Sequence, residues 1–256
     1  LCVKDVSPSQ IFLGPLIYIA NMFALILCGG AGTRLWPISM PAQPKQFHNI
    51  CNRQDDISLI TQTYKRACRT CTPQNVFFVT NARQAPLIHQ CISGSQIIVE
   101  PEARDSAPAI ALGLKKCGAL PTDIVIIMPS DHLMDTDAFS GVTNSSAFQS
   151  TCENGNIVLL GIRPTWPSTS FGYIETEIES AHSGVYKVSQ FHEKPDEATA
   201  LKYLQTGQFF WNCGIFCAQK QTFISELDKH APNLLQSGSK ISFDFAVMEK
   251  TTLAVV

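Results

Sequence analysis

The apolar run Phe23-Ala24-Leu25-Ile26-Leu27-Cys28 leads straight into Gly29-Gly30-Ala31-Gly32-Thr33-Arg34, and Pro44-Lys45-Gln46-Phe47 follows shortly after. No other stretch constrains the chain as strongly. A buried strand that ends in a glycine turn leaves bare backbone N–H groups at its carboxyl end. Two cations, Arg34 and Lys45, come soon behind it, and a guanidinium offers a fork of donors suited to a pyrophosphate. The loop matches neither the dinucleotide fingerprint GxGxxG nor the P-loop GxxxxGK[ST]. The plain alternative is a tight strand–helix turn with a surface arginine, and the Pro44-Lys45 pair weighs against it.

The pattern downstream alternates. Ser58–Arg69 has helical spacing, 75–80 reads as a short buried strand, and Ala82–Cys91 reads as a helix despite Pro86. Gln96–Glu100 is a further strand. Ala107–Cys117 is a helix with Ser106 as its cap and Pro108 in its first turn. Asp123–Met128 is continuously apolar, as expected of a strand covered on both faces. Alternation of this kind predicts an α/β fold, a Rossmann-like doubly wound sheet with right-handed crossovers. Ligands of such sheets sit outside the carboxyl ends of the strands, so the loops after Cys28, Glu100 and Met128 should share one crevice. The second half predicts a strand at 156–161 and paired strands at 171–177 and 184–191. A helix over 196–205 closed by Gly207, a strand at 211–218 and a helix at 220–229 complete the reading. With 256 residues and no visible linker, residues 22–256 read as one domain carrying a second lobe.

Other features narrow the class. A formal net charge of −2 leaves no basic field for nucleic acid, so an anionic ligand must be held by a few local cations. Residues 11–28 are apolar enough to consider as a membrane span. Gly14-Pro15 and Asn21 interrupt them, however, and their second half is needed as the first strand. Residues 1–21 are therefore read as an extension outside the fold, with Met22 as its start and no membrane partner expected. The ten cysteines are scattered. They read as small buried hydrophobes, and the lone Cys68-Arg-Thr-Cys71 is a poor zinc candidate, which together suggest a reducing, cytoplasmic location.

Several polar groups fall at strand ends. Asp105 and Ser106, near Glu100, can accept from and donate to a base or ribose, or simply cap a helix. Asp131, after the most apolar strand, can ligate Mg²⁺ against a phosphate, or be a turn aspartate. Glu193 and Lys194 could bind sugar hydroxyls and a sugar phosphate, or form a surface ion pair. Gly172 and Asn212 suit a flat polar ligand.

In order, the segments GGAGTRLWPIS with PKQF, EPEARDSAPAIAL, MPSDH, GIRPT with FGYIE, FHEKPD, FFWNCGIF and ISFDFAVMEKT resemble the sugar nucleotidyltransferases. Trp36 with PKQF, WNCG and the ISFDFAVMEK run resemble their mannose/GDP branch. The resemblance implies the mixed sheet of the nucleotide-diphospho-sugar transferases. It also implies Mg²⁺ as cofactor, GTP and mannose 1-phosphate as partners, and room for a homo-oligomer. It assigns Gly29, Gly30, Gly32, Thr33, Glu100, Asp105 and Ser106 to the nucleotide. Arg34 and Lys45 become the catalytic cations, with Asp131 as a catalytic metal ligand, and Gly172, Glu193, Lys194 and Asn212 hold the sugar phosphate. Arg104-Asp105-Ser106 replaces the family's commoner Arg-Asn-Thr. The family continues past the position of Val256 into a segment bearing a second metal-binding aspartate, so the fold is expected to be truncated at its C-terminus. Another hexose 1-phosphate and nucleotide, or a non-catalytic binder, are the alternatives.

Overall fold

The computed structural model describes residues 21–30, 37, 39–40, 43–49, 57–177 and 184–256. Strand β1 (Met22–Cys28) is central. It pairs in parallel with β2 (Val76–Asn81) on one side and with β4 (Ile124–Pro129) on the other, and β3 (Gln96–Glu100) continues beyond β2. The strands are rich in Val, Ile and Phe, which pack well on a pleated surface. Leu25, Val79, Ile98 and Ile127 face one buried cluster, whereas Ala24, Ile26, Phe78 and Ile126 face another. Both faces are therefore covered, as a parallel sheet requires. Helices α1 (Leu59–Ala67), α2 (Ala85–Cys91) and α3 (Ser106–Lys116) provide the crossovers.

The observed sheet is mixed, with strand order β3-β2-β1-β4-β8-β5-β9 and a β6–β7 arm attached to β8. Here β5 is Ile157–Ile162, β6 Gly172–Thr176, β7 Val188–Glu193, β8 Phe209–Gln219 and β9 Ala254–Val255. The long β8 runs antiparallel to β4, β5 and β6. It thus joins the parallel half to the rest in one continuous sheet. Helix α6 (Glu197–Thr206) ends at Gly207 with φ 69°, as anticipated, and α7 (Lys220–His230) follows β8.

Three local expectations are corrected. Helix α2 begins at Ala85, not Ala82, because Asn81 Oδ1 accepts from the backbone N–H groups of Arg83 and Gln84 in a turn, and Pro86 then sits in the first helical turn, where it is tolerated. The cap of α3 is Asp105: its carboxylate accepts from the Ser106 N–H at 2.7 Å, and Ser106 is the first helical residue. The strand anticipated over 184–191 starts at Val188 and reaches Glu193. Two short helices, α4 (Thr136–Thr143) and α5 (Ser146–Glu153), were not anticipated; Asp135 and Ser145 cap them.

Asn21 is tied to the sheet: its N–H donates to Asp123 Oδ1 at 3.0 Å, and its carbonyl accepts from Ile124 N–H. Among the described residues no helix is long and apolar enough to cross a membrane.

Candidate active site

The glycine turn is held from below. Gln46 is buried, and its Nε2 donates to Gln84 Oε1 at 2.8 Å and to the Gly30 carbonyl at 3.4 Å. Gln84 Nε2 donates to the same carbonyl at 3.2 Å. Thr80 Oγ1 donates to the Cys28 carbonyl at 2.6 Å. Carbonyls at this strand end are thereby directed into protein, which leaves N–H groups for a ligand. Gly32, Thr33 and Arg34 lie outside the described residues.

A cavity of about 430 Å³ opens here, walled by Gly29, Gly30, Glu100, Arg104, Asp105 and Ser106, with Lys240 at its side. Glu100 is 7% exposed, and a Cβ on Gly29 would lie 3.4 Å from its Oε2. Burial pushes the Glu100 carboxyl up from its ordinary range, and nearby Arg104 partly opposes this. Asp105 has φ 72° and ψ −175°, an unusual backbone for a non-glycine residue. The Ser106 hydroxyl accepts from Phe243 N–H at 2.8 Å, and Arg104 donates to the Leu235 carbonyl at 3.3 Å. Asp105 and Ser106 thus border the cavity while also fastening α3 and the 235–243 segment.

Lys45 follows in a short 3₁₀ turn (Lys45–Phe47) set by Pro44. Its backbone N–H donates to Ser39 Oγ at 3.0 Å, and its ammonium forms an ion pair with Asp131. Both side chains remain partly exposed, at 32% and 20%, so a ligand can reach either group. Asp131 stands just past β4, where Ser130 N–H donates to the Leu27 carbonyl at 3.2 Å. His132, in the same loop, is held neutral more readily than usual, because burial disfavours its imidazolium.

On the other side of β4, Gly214 lies against Pro129: a Cβ there would be 3.8 Å from Pro129 Cγ. Gly214 takes φ 64°, and its N–H donates to Asn212 Oδ1 at 2.8 Å. Asn212 Nδ2 donates to Asp244 Oδ1 at 2.8 Å. A Cβ on Gly172 would lie 2.7 Å from Glu193 Oε2 and 3.7 Å from Asn212 Cβ, so only glycine leaves Glu193 in place. Lys194, at φ 45°, is ion-paired with Glu193. Gly172, Glu193, Lys194 and Asn212, scattered over about forty residues of sequence, therefore form one cluster. Asp244 joins it and was not singled out in advance. Its carboxyl is pushed up by burial, with Glu193 and Glu249 adding to the effect and the Asn212 hydrogen bond opposing it.

The donor chemistry near Asp131 fits a hard divalent cation. Mg²⁺ commonly takes one or two carboxylates and fills its remaining positions with phosphate oxygens and water. Among the described residues no group of three or more His, Cys, Asp or Glu forms a cage made of protein alone.

A glycine-lined cavity, a lysine–aspartate pair at the central strand ends and a glycine-backed polar cluster one strand further lie side by side, at the strand ends where α/β proteins of this kind bind ligands. The family model for nucleotidyl transferases matches residues 23–244, and the chain belongs to that family. It is 31% identical to a xanthan biosynthesis protein, XanB, of Xanthomonas campestris, over 93% of this chain and 56% of the relative. It is also 31% identical to a mannose-1-phosphate guanylyltransferase of Escherichia coli, again over 93% of this chain and 56% of the relative. The chain thus spans about half the length of the curated relatives it matches. A crystal structure described as a mannose-1-phosphate geranyltransferase from Thermus thermophilus superposes with a TM-score of 0.81 at 29% identity, covering 92% of this chain and 73% of that one.

Proposed function

We propose that the site transfers a guanylyl group from GTP to mannose 1-phosphate, giving GDP-mannose and pyrophosphate. The observation that carries this reading is the Lys45–Asp131 pair. It stands between the Gly29–Glu100 cavity and the Gly172–Asn212 cluster, because β4 lies between β1 and β8. Two anionic substrates entering from the two sides would meet there. The relatives named as mannose-1-phosphate guanylyltransferases supply the choice of base and sugar.

A phosphate oxygen of the sugar phosphate attacks the α-phosphorus, and the bond to the β,γ-pyrophosphate breaks. The nucleophile carries about −1.5 to −2 charge at pH 7, so no general base is required. The barrier is repulsion between anions together with charge growing on the leaving pyrophosphate. Lys45 supplies positive charge beside the reacting phosphates, and Arg34 is proposed to do the same. Lys194 orients the attacking phosphate, while Glu193 and Asn212 offer acceptors and a donor to sugar hydroxyls. Glu100, at the cavity wall, offers an acceptor to the base. Asp131 would hold Mg²⁺, which when bound neutralises charge on phosphate oxygens.

The test is pyrophosphate release with Mg²⁺ across GTP, ATP, UTP and dTTP, each against mannose and glucose 1-phosphates. Release confined to GTP with mannose 1-phosphate is expected. Release with UTP or dTTP and glucose 1-phosphate would replace this reading with another member of the class. GTP binding without release under any pairing would make the chain a binder.

A further inference from the structure

We infer that Arg66, on α1, is the positioning residue for Asp131. Arg66 is 1% exposed, and among the described residues no carboxylate lies within ion-pair distance of it. A buried guanidinium without a counter-ion is costly, and among the described residues its Nε has no hydrogen-bond partner, so Nη1 and Nη2 carry its side-chain bonds. Two of those bonds go to the loop after β4, and a third goes to Thr63 on α1, which reaches the same loop. Its Nη1 donates to the Met134 carbonyl at 3.3 Å, and Nη2 donates to the His132 carbonyl at 3.1 Å and to Thr63 Oγ1 at 3.0 Å. Thr63 Oγ1 passes the chain on by donating to the Ser130 carbonyl at 3.3 Å. The Ser130 N–H is fixed in turn by the Leu27 carbonyl.

Asp131 is thus bracketed. The residue before it is pinned through both its N–H and its carbonyl, and the residue after it is pinned through its carbonyl. What freedom remains to Asp131 is in its own side chain, which meets Lys45. A carboxylate that would hold a cation beside the reacting phosphates depends on this kind of support, since a misplacement of about 1 Å can cost about 10²-fold in rate. The guanidinium carbon also lies over the Phe139 ring, 6.0 Å from its centroid. The inference rests on the nucleotidyl-transfer reading for its chemistry, and on the hydrogen bonds alone for its mechanics.

The experiment compares the chain with Arg66→Met, Arg66→Lys and Thr63→Val, the last two serving if Arg66→Met does not fold. Each is assayed well below its own melting temperature, where the folded state dominates. Three quantities are read: kcat and KM for GTP, Mn²⁺ affinity from the electron paramagnetic resonance of free Mn²⁺ with a non-hydrolysable GTP analogue present, and amide exchange over 130–134. Arg66→Met is expected to lose about 10–100-fold in kcat and in Mn²⁺ affinity, the usual effect of removing a residue that orients a metal ligand. KM for GTP should move little. Thr63→Val should shift the same two quantities in the same direction and less, and Arg66→Lys should fall between the wild type and Arg66→Met. Folded variants with unchanged kcat and Mn²⁺ affinity would make Arg66 merely structural and overturn the inference. A wild type without release or Mn²⁺ binding would instead overturn the nucleotidyl-transfer reading. Exchange over 130–134 would then still decide the mechanics: unchanged rates in Arg66→Met would overturn the inference, and faster rates would support it.

Discussion

At the scale of single residues the site is built from groups whose environments are set by partners far along the chain. Asp244 is the clearest case. Burial, Glu193 and Glu249 all raise its carboxyl above the ordinary aspartate value of 3.8, and only the Asn212 amide and its own backbone oppose them. The folded state therefore holds the Asp244 proton more tightly than the unfolded chain does. Stability from this group falls as pH rises from the ordinary aspartate value through the raised one, and the charged form carries its full penalty above that window. Asp244→Asn keeps an oxygen to accept from Asn212 Nδ2 and removes the charge. The variant should melt higher than the wild type at pH 8, by roughly 2–4 °C if the effect is near a kilocalorie, and the gap should close toward pH 4. Calorimetry of both proteins across that range checks it. A gap that stays constant with pH would show that Asp244 is not the source of the slope.

At the scale of elements, close approach decides what the sequence permits. Helix α3 crosses β1 and β2 with Gly113 against them: a Cβ there would lie 2.8 Å from Leu25 Cδ1 and 3.1 Å from Val79 Cγ2. Both neighbours are fully buried, so neither has room to give way. Gly113→Ala gains helix propensity but forces α3 off the sheet. Overpacking of this kind costs about 1–3 kcal/mol, against roughly 1 kcal/mol gained from propensity. The net expectation is a lower urea midpoint, together with weaker binding of the proposed nucleotide, because the α3 N-terminus carries Asp105 and Ser106 beside the cavity. A variant as stable as the wild type would show that the helix can slide without cost.

The same scale explains what was legible beforehand. Strands β1 and β4 stand out as continuous apolar runs, and Gly207 marks the end of α6 because glycine readily adopts positive φ. The glycine turn, Glu100, Asp131 and the 172–212 cluster could be marked because each follows or opens a recognisable strand. Gln46 and Gln84 could not be given a role in advance, since their pairing spans 38 residues and neither type announces a turn support. Arg66 meets the His132 carbonyl across 66 residues, and Asp244 meets Asn212 across 32. A single sequence shows residue types along the chain but not which of them meet. Helices α4 and α5 escaped notice for a local reason: both are eight residues long and rich in Ser, Thr and other modest helix formers.

At the scale of the whole molecule, the two halves of the site depend on a sheet that does not break between them. The 11-residue β8 pairs with β4 of the parallel half and with β5 and β6 of the other. Asn212 and Gly214 belong to that strand, so the Gly172–Asn212 cluster cannot come away without stripping β4 of its neighbour. Trp166 and Trp211 pack together at 4.5 Å between ring centroids in the β6–β8 region; in a Trp36→Phe background, which removes the third tryptophan of the chain, they would report on that half, whereas far-UV circular dichroism reports on the whole. If the sheet couples the halves as its pairing implies, tryptophan fluorescence and circular dichroism should lose their native signals at the same urea concentration, in one transition. An earlier fluorescence transition would mean that the second lobe melts alone. For the proposed reaction, the distance between nucleotide and sugar phosphate would then be set by a mobile joint, and the alignment needed for in-line transfer would have to be supplied by the substrates themselves rather than by the fold.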